Sequence, residues 1–173
     1  MDGMGLMHIY CGDGKGKTTA AVGLAVRASG AGLKVMFVQF LKGSETGELE
    51  PLKRLGVTVV RSEGVKKFIP YMTPEELYEC RREQQGCLEA AENGAGTYDL
   101  IVLDEALGAV ETGMIELGEL TRFAESRPKG LELVLTGRKA PPELFGLADY
   151  VSEIKAVKHP YDRGVTARRG IEY

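Results

Sequence analysis

The stretch IYCGDGKGKTT, from Ile9 to Thr19, decides how the rest of the chain is read. It joins a short apolar run, Met7 to Tyr10, to an alanine-rich stretch that starts at Thr18 and exits through Gly-Ala-Gly. The pattern is strand, glycine loop, helix. Backbone N–H groups in such a loop can form a nest for anionic oxygens, and the helix that follows points its positive end at the same place. The usual spacing for this arrangement is Gly, four residues, then Gly-Lys-Ser/Thr. Here the position five before Gly16 is Cys11, and the nearest earlier glycine, Gly12, comes one residue late. The loop reads as nucleotide-binding, but its departure leaves open which chemistry it serves.

Working outward, short apolar runs alternate with amphipathic ones. Strands are expected at Met7–Tyr10, Leu33–Phe40, Val57–Val60, Leu100–Asp104, Leu131–Thr136 and Tyr150–Val157. Helices are expected at Thr18 to Ala31, Glu48–Leu55, from Pro74 to Asn93-Gly94, Ile115–Ser126 and Pro142–Leu147. Thr73-Pro74-Glu75-Glu76 carries a cap, a proline at the first helical position and the acid of a capping box. Alternating strands and helices imply an α/β fold, a parallel sheet covered on both faces with right-handed crossovers. Leu33–Phe40 is nearly continuously apolar, as a strand buried on both sides should be. No repeat or linker interrupts the chain, so residues 1–173 are read as one domain. Arg61–Met72 is the one long connection without a clear structural role.

Composition narrows the function. The chain has 173 residues, 43% hydrophobic and 27% charged, with a net charge of −3. That balance is globular and offers no basic surface for nucleic acid or membrane. No basic-apolar leader and no bilayer-length apolar run is present. Cys11, Cys80 and Cys87 form no CxxC pair, and with only His8 and His159 they make no zinc set. Cys80 and Cys87, seven apart, lie on one helical face and read as small core residues. A reduced, cytoplasmic protein is the expected setting.

Three stretches carry the candidate chemistry. In the loop, Gly12, Gly14 and Gly16 let backbone N–H groups turn inward, and Lys15 and Lys17 supply positive charge. Asp13 is tolerated if it takes a left-handed turn with its carboxylate outward. LIVLDE, Leu100 to Glu105, places two acids at the carboxyl edge of the sheet, where ligands bind in open α/β folds. With Thr18, either Asp104 or Glu105 could hold hydrated Mg²⁺. LTGRKAP, Leu135 to Pro141, brings Thr136 and Arg138 to the same edge, where Arg138 either neutralises phosphate or pins a loop. In the C-terminal EIKAVKHPYDRGVTARRGIEY, spacing alone gives no chemical role.

Taken together, GDGKGKTTAA, VQFLKG, VLDE, RP, TGR and VSEIKAVKHPYDRGVTARRGIEY resemble the corrinoid adenosyltransferase family, the ATP:cob(I)alamin type with a P-loop fold. The pieces keep the family's order from Gly12 to Tyr173. The resemblance implies a P-loop NTPase-like (RecA-like) sheet and transfer of the 5′-deoxyadenosyl group of ATP to the cobalt of a reduced corrinoid. It implies that the segment Gly12, Asp13, Gly14, Lys15, Gly16, Lys17, Thr18 and Thr19 wraps the triphosphate, with Lys17 balancing its charge. Thr18 and Glu105 would hold Mg²⁺, or Mn²⁺, with Asp104 beside them; Lys17 and Glu105 would be the catalytic pair, and Arg138 would face the nucleotide. The corrinoid is cobalamin or a precursor, an electron donor such as a reduced flavin or a flavodoxin-type protein supplies cobalt(I), and a homodimer is the common assembly.

The chain departs from the family at three points. Relatives usually have Asn at the position of Asp13. Many carry an aromatic pair after the glycine near Gly64, where this chain has Val65-Lys66-Lys67-Phe68, so Phe68 alone is the candidate for the lower corrinoid face. The chain also begins almost at its first strand, without the N-terminal helix that some relatives fold over the corrinoid, so a more open pocket is expected. Phe68, Ile69, Tyr71 and Met72 are expected to form the corrinoid face, or else to pack on the sheet edge. Two other functions stay open on the residues alone: a phosphotransferase or ATPase acting on the γ-phosphate, and a non-catalytic corrinoid carrier or sensor.

Overall fold

The computed structural model describes residues 3–43, 46–62, 67 and 69–173. Six strands form one sheet: β1 (Met7–Cys11), β2 (Val35–Gln39), β3 (Thr58–Arg61), β4 (Leu100–Asp104), β5 (Glu132–Thr136) and β6 (Tyr150–Glu153). Their order is β3-β2-β4-β5-β1-β6, and every neighbouring pair is parallel. A parallel sheet needs crossovers that cover both faces, which is why β2 and β4 are buried at every position.

The helices are α1 (Lys17–Gly30), α2 (Leu49–Arg54), α3 (Pro74–Gly94), α4 (Ala106–Glu111), α5 (Leu117–Ser126) and α6 (Pro142–Phe145). One face of the sheet packs against Ala21, Ala25 and Ala28 of α1 and Leu52 of α2. The small alanine side chains let α1 lie close to Phe37, Val102 and Val134. The other face meets α3, α4 and α5 through Leu88, Leu107, Leu120 and Phe123. Cys80 and Cys87 are buried in this second core, as their helical spacing predicts. Helix α3 begins as its sequence requires: Thr73 and Glu76 form both hydrogen bonds of the capping box, with Pro74 at the first position.

Several boundaries differ from the sequence-based expectation. β2 is confined to Val35–Gln39: the Phe40 N–H still donates to the Asp104 carbonyl at 2.9 Å, and the chain then turns left-handed at Leu41, φ 58. β6 ends at Glu153 rather than Val157, since the chain then bends back over the glycine loop. Helix α4 was not foreseen; it starts directly after Glu105, with no polar linker to announce it. Single turns of 3₁₀ helix add Ile69–Tyr71 and Pro160–Arg163.

Of the Arg61–Met72 connection, Ser62 is buried, Ile69 and Met72 pack against the second core, and Tyr71 is exposed. The apolar half of that loop therefore divides between packing and solvent. Phe68, the candidate for the corrinoid face, lies outside the described residues. Among the described residues, no helix is long and apolar enough to cross a membrane.

Candidate active site

The carboxyl ends of β1, β2, β4 and β5 bring the sequence-predicted residues to one edge. β1 delivers the glycine loop. Gly12 has φ 107, and a Cβ on it would stand 2.4 Å from the Ile154 carbonyl oxygen; one on Gly14 would stand 2.7 Å from the Lys155 carbonyl carbon. The segment after β6 thus passes so close to the loop that side chains are excluded there.

The three glycines do not act alike. The Gly12 N–H donates to the Arg138 carbonyl at 2.8 Å, and the Gly14 N–H to the Ile154 carbonyl at 2.8 Å. These two bonds fasten the loop to the chain after β5 and after β6. The N–H groups of Asp13, Lys15 and Gly16 donate to no backbone carbonyl among the described residues, and the first N–H groups of α1 are free by helix geometry. Anion-binding capacity resides in those groups. Asp13 is not left-handed; its carboxylate turns away and accepts from the Ala156 N–H at 3.2 Å.

The two loop lysines diverge. Lys17 folds over the loop and donates to the Gly12 and Gly14 carbonyls at 2.8 and 2.9 Å. Lys15 points outward to Glu172 at 2.9 Å. Glu172 also binds Arg168, and these two cations hold its carboxyl down at about 2. The C-terminal segment is in this way drawn onto the loop. Between them lies a cavity of about 310 Å³, lined by Thr18, Thr19 and Val22 of α1, Lys42 and Glu48, and Gly170 to Tyr173. Thr19 is exposed toward it.

Asp104 is the centre of the site. It is fully buried at the end of β4, and its Oδ1 accepts from the Thr18 hydroxyl at 2.9 Å and the Thr136 hydroxyl at 2.8 Å. Its Oδ2 accepts from the Lys42 ammonium at 3.0 Å and the Gln39 amide at 3.3 Å. A buried carboxylate is tolerable only when so compensated. Register explains the set: Gln39 pairs with Asp104 across β2 and β4, and β5 lies between β4 and β1.

Glu105 is the N-cap of α4 and left-handed, at φ 61. Its N–H donates to the Thr136 hydroxyl at 2.9 Å, which lets one threonine hold both acids. Burial first, and then the Asp104 charge, push the Glu105 carboxyl above its ordinary value, while Lys42, Lys17 and Arg138 pull against that shift. Arg138 itself is exposed, and its backbone carbonyl holds Gly12.

Sequence reasoning missed Lys42, Gln39 and Glu48. Gln39 bridges Asp104 and Glu48, and Lys42 lies 3.9 Å from Glu48. The only signal was the polar ending of an otherwise apolar strand, in VQFLKG. Among the described residues there is no group of three acids, histidines or cysteines spaced to cage a metal. The oxygen set of Thr18, Asp104 and Glu105 is hard and small, the kind that suits an ion carrying most of its own water and a phosphate.

A glycine loop at a helix start, with a buried aspartate two strands away at the same sheet edge, defines an α/β protein of the P-loop NTPase class. Its fold is RecA-like: a KaiC-like protein from Pyrococcus horikoshii OT3, 16% identical, matches over 88% of this chain and 73% of that one with a TM-score of 0.51. Residues 3–173 match the family described as ATP:corrinoid adenosyltransferase BtuR/CobO/CobP. The corrinoid adenosyltransferase of Escherichia coli K12 is 35% identical over 99% of this chain and 87% of its own length. Those of Pseudomonas aeruginosa, at 34% over 99% and 85%, and Salmonella typhimurium, at 35% over 98% and 86%, are similar to it in the same way. The chain belongs to the ATP:corrinoid adenosyltransferase family and is an enzyme of this kind.

Proposed function

We propose that the protein transfers the 5′-deoxyadenosyl group of ATP to the cobalt of a reduced corrinoid and releases triphosphate in one piece, in adenosylcobalamin synthesis or salvage. Cobalt(I) supplies the electron pair for the new cobalt–carbon bond, the C5′–oxygen bond breaks, and its electrons leave with the triphosphate. Family membership over nearly the whole chain supports this chemistry. The observation that carries the site is the meeting of Thr18, at the start of α1, with Asp104.

The residues divide the work. The segment Gly12 to Thr19 holds the triphosphate through the N–H groups left over from loop fastening. Lys17, which now spends its donors on the Gly12 and Gly14 carbonyls, balances the charge that grows on the leaving group. Arg138, on the same edge, adds to that balance. Thr18 and Glu105, with Asp104 beside them, would hold Mg²⁺ or Mn²⁺, which would neutralise phosphate charge. No water-activating base is needed; holding the leaving group and keeping the cobalt approach dry is enough. Phe68 faces the corrinoid, cobalamin or a precursor. A reduced flavin or flavodoxin-type protein delivers the electron. The chain works as one domain in a cytoplasmic homodimer.

Anaerobic incubation with ATP, Mg²⁺ and chemically reduced cobalamin tests this reading. The spectrum of adenosylcobalamin is expected to develop only when all three are present. Binding of both substrates without that spectrum would leave a carrier or sensor.

A further inference from the structure

Lys42 follows β2 and reaches back into the site. Its ammonium lies 3.0 Å from Asp104 Oδ2, 3.4 Å from Thr18 Oγ1 and 3.9 Å from Glu48 Oε1, and its side chain is only 26% exposed. Two of these three residues are the ones to which the reading above gives the divalent ion. An ion bound to Asp104 and Thr18 needs oxygens at about 2.1 Å. A lysine ammonium at hydrogen-bond distance from the same side chains would stand against it with like charge and nothing between them.

We propose that Lys42 is a tethered cation that competes with the divalent ion for Asp104 and Thr18 and is displaced by it. This inference rests on the metal reading of the site. Three features equip Lys42 for the exchange. Its four-carbon stem is flexible. Glu48, already 3.9 Å from the ammonium, is a second anion to receive it, and both side chains line the 310 Å³ cavity beside α1. Gln39 stays on Asp104 Oδ2 and on Glu48, so neither carboxylate is stripped when the ammonium moves. A purely structural pair would need none of this: Lys42 would stay on Asp104 whatever else bound. The consequence is gating. The protein alone takes a divalent ion poorly, and the ion is admitted well only with the charge of a triphosphate. Lys42 is thus a positioning residue that acts through Asp104.

The test is Mn²⁺ binding to the full chain without nucleotide, read from the electron paramagnetic resonance of free Mn²⁺. Lys42→Met is expected to bind Mn²⁺ about tenfold more tightly than the wild type, on the scale by which neighbouring groups tune metal sites. Lys42→Arg, which keeps the charge, is expected to bind no more tightly than the wild type. Adding Asp104→Asn to Lys42→Met is expected to abolish the gain. Lys42→Gln is the second neutral variant should the methionine protein fail to fold, with the same expectation. Equal or weaker Mn²⁺ binding by the neutral variants would overturn the role of Lys42 while leaving the metal site in place. A gain that survives Asp104→Asn would show that Lys42 does not act through Asp104 and would overturn the proposal, with Thr18 and Glu105 still open to the ion.

Discussion

The Thr18 hydroxyl and the Asp104 carboxylate, 86 positions apart in the chain, meet at 2.9 Å. The contact joins the start of α1 to the end of β4 across the intervening β5. Asp104 also carries Thr136, Lys42 and Gln39, so its charge organises the whole sheet edge.

Asp104→Ala is therefore expected to cost about 3 kcal/mol or more in urea unfolding, the range for removing one partner of a buried charge pair. It removes the acceptor shared by the Thr18 and Thr136 hydroxyls, the Gln39 amide and the Lys42 ammonium. A loss below about 1 kcal/mol, as for a surface pair, would show that the network is not structural.

Glu105 gives a pH signature. Its carboxyl is raised above 4.5 by burial first and then by Asp104. A raised folded value means that the native state holds this proton more tightly than the unfolded one. Its stabilising contribution is thus complete below about pH 4.5 and is lost as pH rises through the raised value. Glu105→Gln is expected to gain stability relative to the wild type across that window. The Mg²⁺ requirement of the wild type should ease as pH rises through the same window, while the variant, matching the wild type below it, should need more Mg²⁺ above it. Parallel stability and Mg²⁺ profiles for the two proteins would remove Glu105 from the site.

How much of this was legible in the sequence differs by element. β2 and β4 were visible because strands buried on both faces are apolar at every position, and α3 because Thr73-Pro74 and Glu76 cap it locally. Helix α4 was hidden by Glu105, a non-glycine residue in a left-handed turn that ends the strand and starts the helix at once. Lys42 and Gln39 were hidden for another reason. Their partnership with Asp104 depends on β2 lying beside β4 in a particular register, a long-range fact that no local pattern encodes. Lys17, Thr18 and Asp104 stood out because loop and strand-end patterns mark them without any knowledge of pairing.

Gly12→Ala is expected to lower stability by about 1–3 kcal/mol, the usual cost of forcing atoms into a packed site. The new methyl would meet the Ile154 carbonyl at 2.4 Å, at a backbone angle that side chains resist. Limited proteolysis should also cut the segment after β6 faster. Wild-type melting and digestion would mean that the loop and that segment are not locked together.

Phe68→Ala tests the corrinoid face. An apolar side chain that excludes cobalt's lower axial ligand makes cobalt(I) accessible. Adenosylation starting from cobalt(II) is expected to slow much more than adenosylation from pre-reduced cobalt(I), with ATP binding unchanged. Equal slowing from both starting states would reduce Phe68 to a packing residue.

The central claim is that the bond broken in ATP is at C5′. The most direct measurement is the phosphorus spectrum of the products after a limiting amount of cobalt(I) corrinoid has been consumed. Inorganic triphosphate equal in amount to the adenosylated corrinoid is the predicted result. ADP with the corrinoid unchanged would contradict it and leave a phosphotransferase or ATPase in its place.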